Sequence, residues 1–140
     1  MRALILSAAL CLVSGPALAG SAEITRGDDG HWTADARVNG RPVEFLVDTG
    51  ATMVALTADD ARKAGIDLRR LDYRHTVRTA SGTARAAAIK LERVQVGTVR
   101  LEDVDALVIE RGLSVSLLGQ SFLNRLERIQ TRGAVLRLQD

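Results

Sequence analysis

The sequence predicts an all-β, barrel-like single domain, and three observations carry that expectation. Short apolar or alternating runs recur at close spacing, turn pairs containing glycine separate them, and only two short stretches have helical spacing. The 140 residues, 46% hydrophobic and 26% charged, give room for one core and not for two. Lys and Arg number 19 against 17 Asp and Glu, scattered among one another, so the chain carries no basic footprint for nucleic acid.

Residues 1–19 read as an export signal. Met1-Arg2 gives a positive start, residues 3–13 are apolar and uncharged, and Ser14-Gly15-Pro16 breaks the run. Ala17-Leu18-Ala19 then offers small residues before a cleavage point at Gly20. The apolar run is shorter than the roughly 20 residues that span a bilayer. No charge falls between Arg2 and Glu23, however, so an uncleaved anchor facing the periplasm is the alternative to a bacterial periplasmic domain over 20–140. Cys11 is the single cysteine, and Leu10 before it does not suit a lipid-modified cysteine. The exported part therefore has no disulfide, zinc-thiolate site or thiol nucleophile.

Residues 31–38 alternate polar and apolar side chains, as a half-buried strand does. Asn39-Gly40 is a two-residue hairpin signal, and the return strand, 43–47, is apolar enough to be buried on both faces. Pro42 stands at its start, where a strand tolerates proline. After Asp48-Thr49-Gly50, residues 51–56 form another apolar strand. Thr57 caps a short helix with Asp59 and Asp60 in its first turn, and Gly65 stops it. Residues 73–79 and 83–91 make a hairpin turning at Ser81-Gly82, and 94–101 holds a further hairpin bent at Gly97-Thr98. A strand over 104–109 follows, then Leu117-Leu118-Gly119 and a helix over 120–126 with Phe122, Leu123 and Leu126 at helical spacing. Arg132-Gly133 turns a final pair of strands.

One segment carries chemistry. Phe45-Leu46-Val47-Asp48-Thr49-Gly50-Ala51 places an acid directly after a buried strand, where the chain leaves the core. Desolvation there favours the neutral carboxyl, and hydrogen bonds from loop amides and Thr49 oppose that shift. Asp-Thr-Gly alone also suits a plain Asx turn closing a strand. Its company gives it weight, because this segment, the hairpin over 73–88 and Leu117-Leu118-Gly119-Gln120 together resemble the retropepsin-like aspartic proteases. About 70 residues separate the Asp loop from the aliphatic-aliphatic-Gly segment, as that topology needs.

The resemblance spans residues 32–138 and implies a retropepsin-like acid-protease barrel with a flap hairpin and one or two short helices. It implies Asp48 as the catalytic carboxylate and Thr49 as a brace to its symmetry mate. Gly50 would let two loops approach, and Ala51 would line the site. Ser81 and Gly82 would form the flap tip, with Leu118 and Gly119 beneath the loop. The flap departs from the family in lacking a glycine-rich tip and in carrying Ala86-Ala87-Ala88. The termini differ in length from the retroviral enzymes, so their interleaved dimer sheet does not carry over.

Metal-free peptide hydrolysis needs one group to deprotonate water and another to protonate the substrate. The chain holds one Asp-Thr-Gly, and Asp28-Asp29-Gly30 lacks an apolar lead-in, so the resemblance implies that a second chain supplies the partner carboxyl in a homodimer. Expected partners are a peptide or protein substrate and a second copy, without metal, cofactor or nucleic acid. Other candidates are weaker. His31 and His75 have no ligand-spaced companions, Ser121 lacks the second glycine of a nucleophile elbow, and Asp103 and Asp105 read as solvated strand charges. Trp32 and Tyr73 read as packing residues. The alternative function is a non-catalytic dimerisation or binding module of the same fold or of a plain β-barrel. An unrelated exported β-domain with Asp48 in a turn is the third reading.

Overall fold

The computed structural model describes residues 19–140; the export-signal expectation over 1–19 and Cys11 fall almost wholly outside the described residues. Ten strands, two short α-helices and one 3-10 turn follow in the order β1 Ser21–Thr25, β2 Thr33–Val38, β3 Arg41–Val47, β4 Val54–Thr57, α1 Ala58–Lys63, the 3-10 turn Leu68–Arg70, β5 His75–Thr79, β6 Gly82–Val96, β7 Val99–Ile109, β8 Ser116–Leu118, α2 Gln120–Leu123, β9 Arg128–Arg132 and β10 Val135–Gln139. The large sheet runs β2-β3-β8-β4-β7-β6-β5, and β2 also pairs with β6. That pairing closes six strands into a barrel and leaves β5 as an outrigger. Closure removes sheet edges and encloses one core, in which Phe45, Phe122, Leu56, Leu91 and Leu118 are fully buried. The second sheet, β1-β10-β9, ties the two ends of the domain together.

The β2–β3 hairpin turns at Asn39-Gly40 with φ of 50° and 83°, the left-handed pair that this sequence favours. Thr57 caps α1 by accepting the Asp60 N–H at 3.1 Å. Several elements differ from expectation. β3 is not buried on both faces: Val43 and Phe45 are buried, Glu44 between them is exposed, and Leu46 and Val47 are half-buried. β4 begins at Val54, because residues 51–53 remain in the loop after Asp48. α2 ends at Leu123, after which Asn124 and Arg125 form a turn. The hairpin expected over 94–101 turns at Gly97-Thr98, but its first arm is continuous with the strand expected over 83–91, as β6, and its second arm with that expected over 104–109, as β7. β1 is an additional strand, alternately exposed and buried.

Strand order positions the site. β8 lies between β3, with which it is parallel, and β4, with which it is antiparallel. The loop joining β3 to β4 must therefore cross over the end of β8, and that loop is the one bearing Asp48.

Candidate active site

Asp48 follows the last residue of β3. The Val47 N–H donates to the Trp32 carbonyl at 2.9 Å, and the Asp48 N–H donates to that of Leu118 at 3.1 Å. The chain then turns tightly: Ala51 N–H reaches the Asp48 carbonyl at 3.2 Å, and Gly50 N–H reaches Asp48 Oδ1 at 2.9 Å. Asp48 is half-buried, Thr49 and Gly50 are exposed, and Leu118 is fully buried.

The end of β8 and the start of α2 hold this loop from below. Gln120 N–H donates to the Ala51 carbonyl at 2.8 Å and Ser121 N–H to that of Thr52 at 3.1 Å. The Gln120 side-chain amide donates to the Thr49 carbonyl at 2.8 Å. Ser121 Oγ accepts the Val54 N–H at 2.8 Å and donates to the Asp105 carbonyl at 2.6 Å, joining loop, helix and β7. The close approach is at Gly119, where a β-carbon would run into the Met53 and Ala51 carbonyls. Gly50 is less constrained: its β-carbon would meet only Asp48 Oδ1, at 3.2 Å.

Above the loop lies a cleft of about 770 Å³, within the range of ligand pockets. Asp48 lines it with a mainly apolar wall that includes Ala51, Met53, Val77, Ile109 and Leu117. The β5–β6 hairpin forms its far side. Thr79 pairs with Gly82, so the two residues at the hairpin tip are Ala80 and Ser81, one position earlier than expected. Gly82 opens β6 at φ +123°, a conformation glycine permits. Ser81 Oγ donates to the Gly112 carbonyl at 2.6 Å, fastening the tip to the loop before β8. Ala86 and Ala87 are buried where β6 pairs with β7, Ala88 is exposed, and none of the three lines the cleft.

Residues 34–125 match the family described as "gag-polyprotein putative aspartyl protease". A retropepsin-like aspartic protease from Rickettsia conorii is 39% identical and superimposes with a TM-score of 0.76, over 85% of this chain and 98% of that one. The chain belongs to the retropepsin-like aspartic protease family. Among curated relatives, an uncharacterized protein in the cobV 5' region of a Sinorhizobium species is 43% identical, over 80% of this chain and 48% of its own length. The uncharacterized protein RP867 of Rickettsia prowazekii is 44% identical, over 73% of this chain and 44% of its own. The retropepsin-like chain thus spans about half the length of the curated relatives it matches. At the level of fold it is also similar to the EIAV protease complexed with the inhibitor HBY-793, with a TM-score of 0.58 and 19% identity over 73% of this chain and 93% of that one.

In this retropepsin-like domain the other sequence candidates stand apart from the cleft. His31 and His75 are exposed, and among the described residues no three His, Cys, Asp or Glu side chains cluster as a metal site. Trp32 and Tyr73 pack partly buried against the core, with the Arg26 guanidinium 4.4 Å over the indole ring. The Asp105 carboxylate pairs with Lys90 at 2.7 Å. The displaced pKa values cluster in the loop before β5. Hydrogen bonds from Arg69 and Arg74 hold the Asp67 and Asp72 carboxyls below the usual carboxylate range, and burial, then Glu110, pushes the Tyr73 phenol up. Sequence reasoning missed Gln120 and the bridging role of Ser121; their only signal was two polar residues directly after Leu-Leu-Gly.

Proposed function

We propose that the chain is an aspartic endopeptidase whose active site is completed by a second copy, with one Asp48 from each. The carrying observation is the half-buried Asp48 on a loop clamped by α2, facing an apolar cleft beneath a hairpin. An extended peptide lies in that cleft, and water sits between the two carboxyls. The ionised carboxyl takes a proton from water as oxygen attacks the scissile carbonyl carbon, while the protonated one donates to the carbonyl oxygen. Proton transfer to the leaving nitrogen then breaks the C–N bond. Like charges this close repel, so the mechanism needs the two carboxyls to share one proton. Thr49 and Gly50, exposed on the loop, are where the two loops meet, and Ser81 and Gly82 cover the substrate. Residues 1–19 direct the domain to the periplasm or anchor it there.

Asp48→Asn tests this directly. The amide keeps the size of the side chain but cannot act as base or hold the shared proton. Hydrolysis of an unstructured polypeptide should fall to background, with the circular dichroism spectrum unchanged. Asp105→Asn, which removes only an exposed ion pair, should leave the rate nearly intact. Retained hydrolysis in Asp48→Asn would overturn the assignment.

A further inference from the structure

Gly20, the residue after the expected cleavage point, is buried although it precedes the first strand. Its N–H donates to Asp140 Oδ1, and its carbonyl accepts the Asp140 N–H at 3.2 Å. Ser21 N–H then donates to Thr98 Oγ1 at 2.8 Å, and the Ser21 carbonyl accepts the Thr98 N–H at 3.0 Å. Every backbone polar group of these two residues therefore has a partner inside the domain.

The position is fitted from both sides. A β-carbon at Gly20 would run into the Thr98 carbonyl, and one at Gly97 would stand 2.8 Å from the Ser21 carbonyl. Gly97, at φ +58°, turns β6 into β7 directly against this segment. Ala19, by contrast, is exposed. The chain thus passes from solvent into a tight slot across the Ala19–Gly20 bond.

The carboxylate in the slot has no cation. No ion pair among the described residues uses Asp140, which is half-buried beyond the end of the β1–β10 ladder. In the uncut chain its partner is a neutral amide N–H. Hydrolysis of the Ala19–Gly20 bond breaks that C–N link, leaves Ala19 as a carboxylate carrying the water oxygen, and frees Gly20 as an amine. α-Amino groups titrate near about pH 8, so this amine is an ammonium at neutral pH. A charge-assisted bond, roughly twice as strong, then replaces a neutral one between the same two atoms.

We propose that Ala19–Gly20 is a processing site whose new terminus is itself a structural ligand: the Gly20 ammonium pairs with Asp140, so that removal of the export signal stabilises the domain. The inference goes beyond the peptidase reading and rests on the export reading of residues 1–19. Strands fray from their ends. β1 and β10 are the first and last strands, joined Ser21 to Gln139, and an ion pair one residue further out holds both. A chain that keeps residues 1–19 lacks that pair.

Every described strand and helix lies within 21–139, and the Rickettsia conorii protease, 98% of which superimposes here, is a folded chain of this span. Residues 20–140 can therefore be tested behind an uncharged linker, cut by a site-specific protease that leaves Gly20 first. Tm should rise by about 3 °C on cutting the wild type and by less than about 1 °C on cutting Asp140→Asn. In the cut forms at about pH 7, the Gly20 amine should react with an acetylating ester roughly tenfold more slowly in wild type than in Asp140→Asn, read by peptide mass. An equal rise in Tm, or equal amine reactivity, overturns the pair. The export reading has its own readout: the full chain, exported by a bacterial host, should yield a product whose intact mass begins at Gly20. A product that begins elsewhere or keeps residues 1–19 overturns that reading, and with it the processing step, whatever the linker chains show. Neither readout involves hydrolysis by Asp48, so failure of the peptidase reading leaves both standing.

Discussion

At position 119 a β-carbon would stand 2.7 Å from the Ala51 carbonyl oxygen and collide with that of Met53. Both obstacles are backbone, so neither can rotate aside as a side chain does. Gly119→Ala must therefore push residues 51–53 off β8 and strain the clamp beneath Asp48. The expected loss is about 3 kcal/mol, the upper end for overpacking, read as a lower urea midpoint at unchanged m. A midpoint equal to that of wild type would mean that the loop yields freely. Asp48 was legible in the sequence because an acid at the end of an apolar strand is a local pattern. The partners of that loop were not. Gln120 reaches Thr49 across 71 positions and Ser121 reaches Val54 across 67, and such side-chain-to-backbone bonds leave no periodic trace.

Among elements, β8 has the most to hold in place for its three residues. Ser116, fully buried, accepts the Thr57 N–H at 3.1 Å and donates to Asp60 Oδ2 at 2.6 Å. It thereby ties the start of β8 to the end of β4 and the first turn of α1. Ser116→Ala leaves an amide and a carboxylate without that partner and should cost about 1–3 kcal/mol in chemical denaturation. Loss no larger than about 0.5 kcal/mol, typical of an exposed pair, would show that water replaces the hydroxyl. Most element boundaries followed from turns and caps. β6 and β7 did not, and the reason is physical. Burial along β6 slips phase between Leu91 and Val94, and along β7 between Leu101 and Val104, where Asp103 adopts φ +52°. A strand that changes face as it coils around the barrel reads in sequence as two strands. The loop before β5 has its own pH dependence. Asp67 accepts from the Arg69 side chain and N–H, which lower its pKa on folding. A lowered carboxyl adds stability that is complete above its unfolded pKa and is lost as pH falls through the folded value. Asp67→Asn should thus lower Tm slightly near neutrality and not at all in strong acid. A difference that grows on acidification would contradict the sign.

For the whole molecule, the pairing of β2 with β6 closes the barrel, and the loop crossing the end of β8 brings one Asp-Thr-Gly to the cleft. The sequence holds no second copy of that motif. If two carboxyls do the chemistry, a monomer contains half a site, and activity must follow the square of monomer concentration at high dilution. Specific activity should then fall as the enzyme is diluted through its dimer dissociation constant. Dilution alone can also mimic loss by adsorption or unfolding, so a second arm is needed. When wild type is refolded with a threefold excess of Asp48→Asn, a wild-type chain finds a wild-type partner about one time in four, by mass action. Activity per wild-type chain should drop to about that fraction, since each hybrid pairs one carboxyl with one amide and cannot share a proton. Adsorption and unfolding do not produce this ratio, because total protein is higher in the mixture. Activity per wild-type chain that stays constant in both arms would place the second acid within one chain, and Asp28 and Asp29 would be the first to replace.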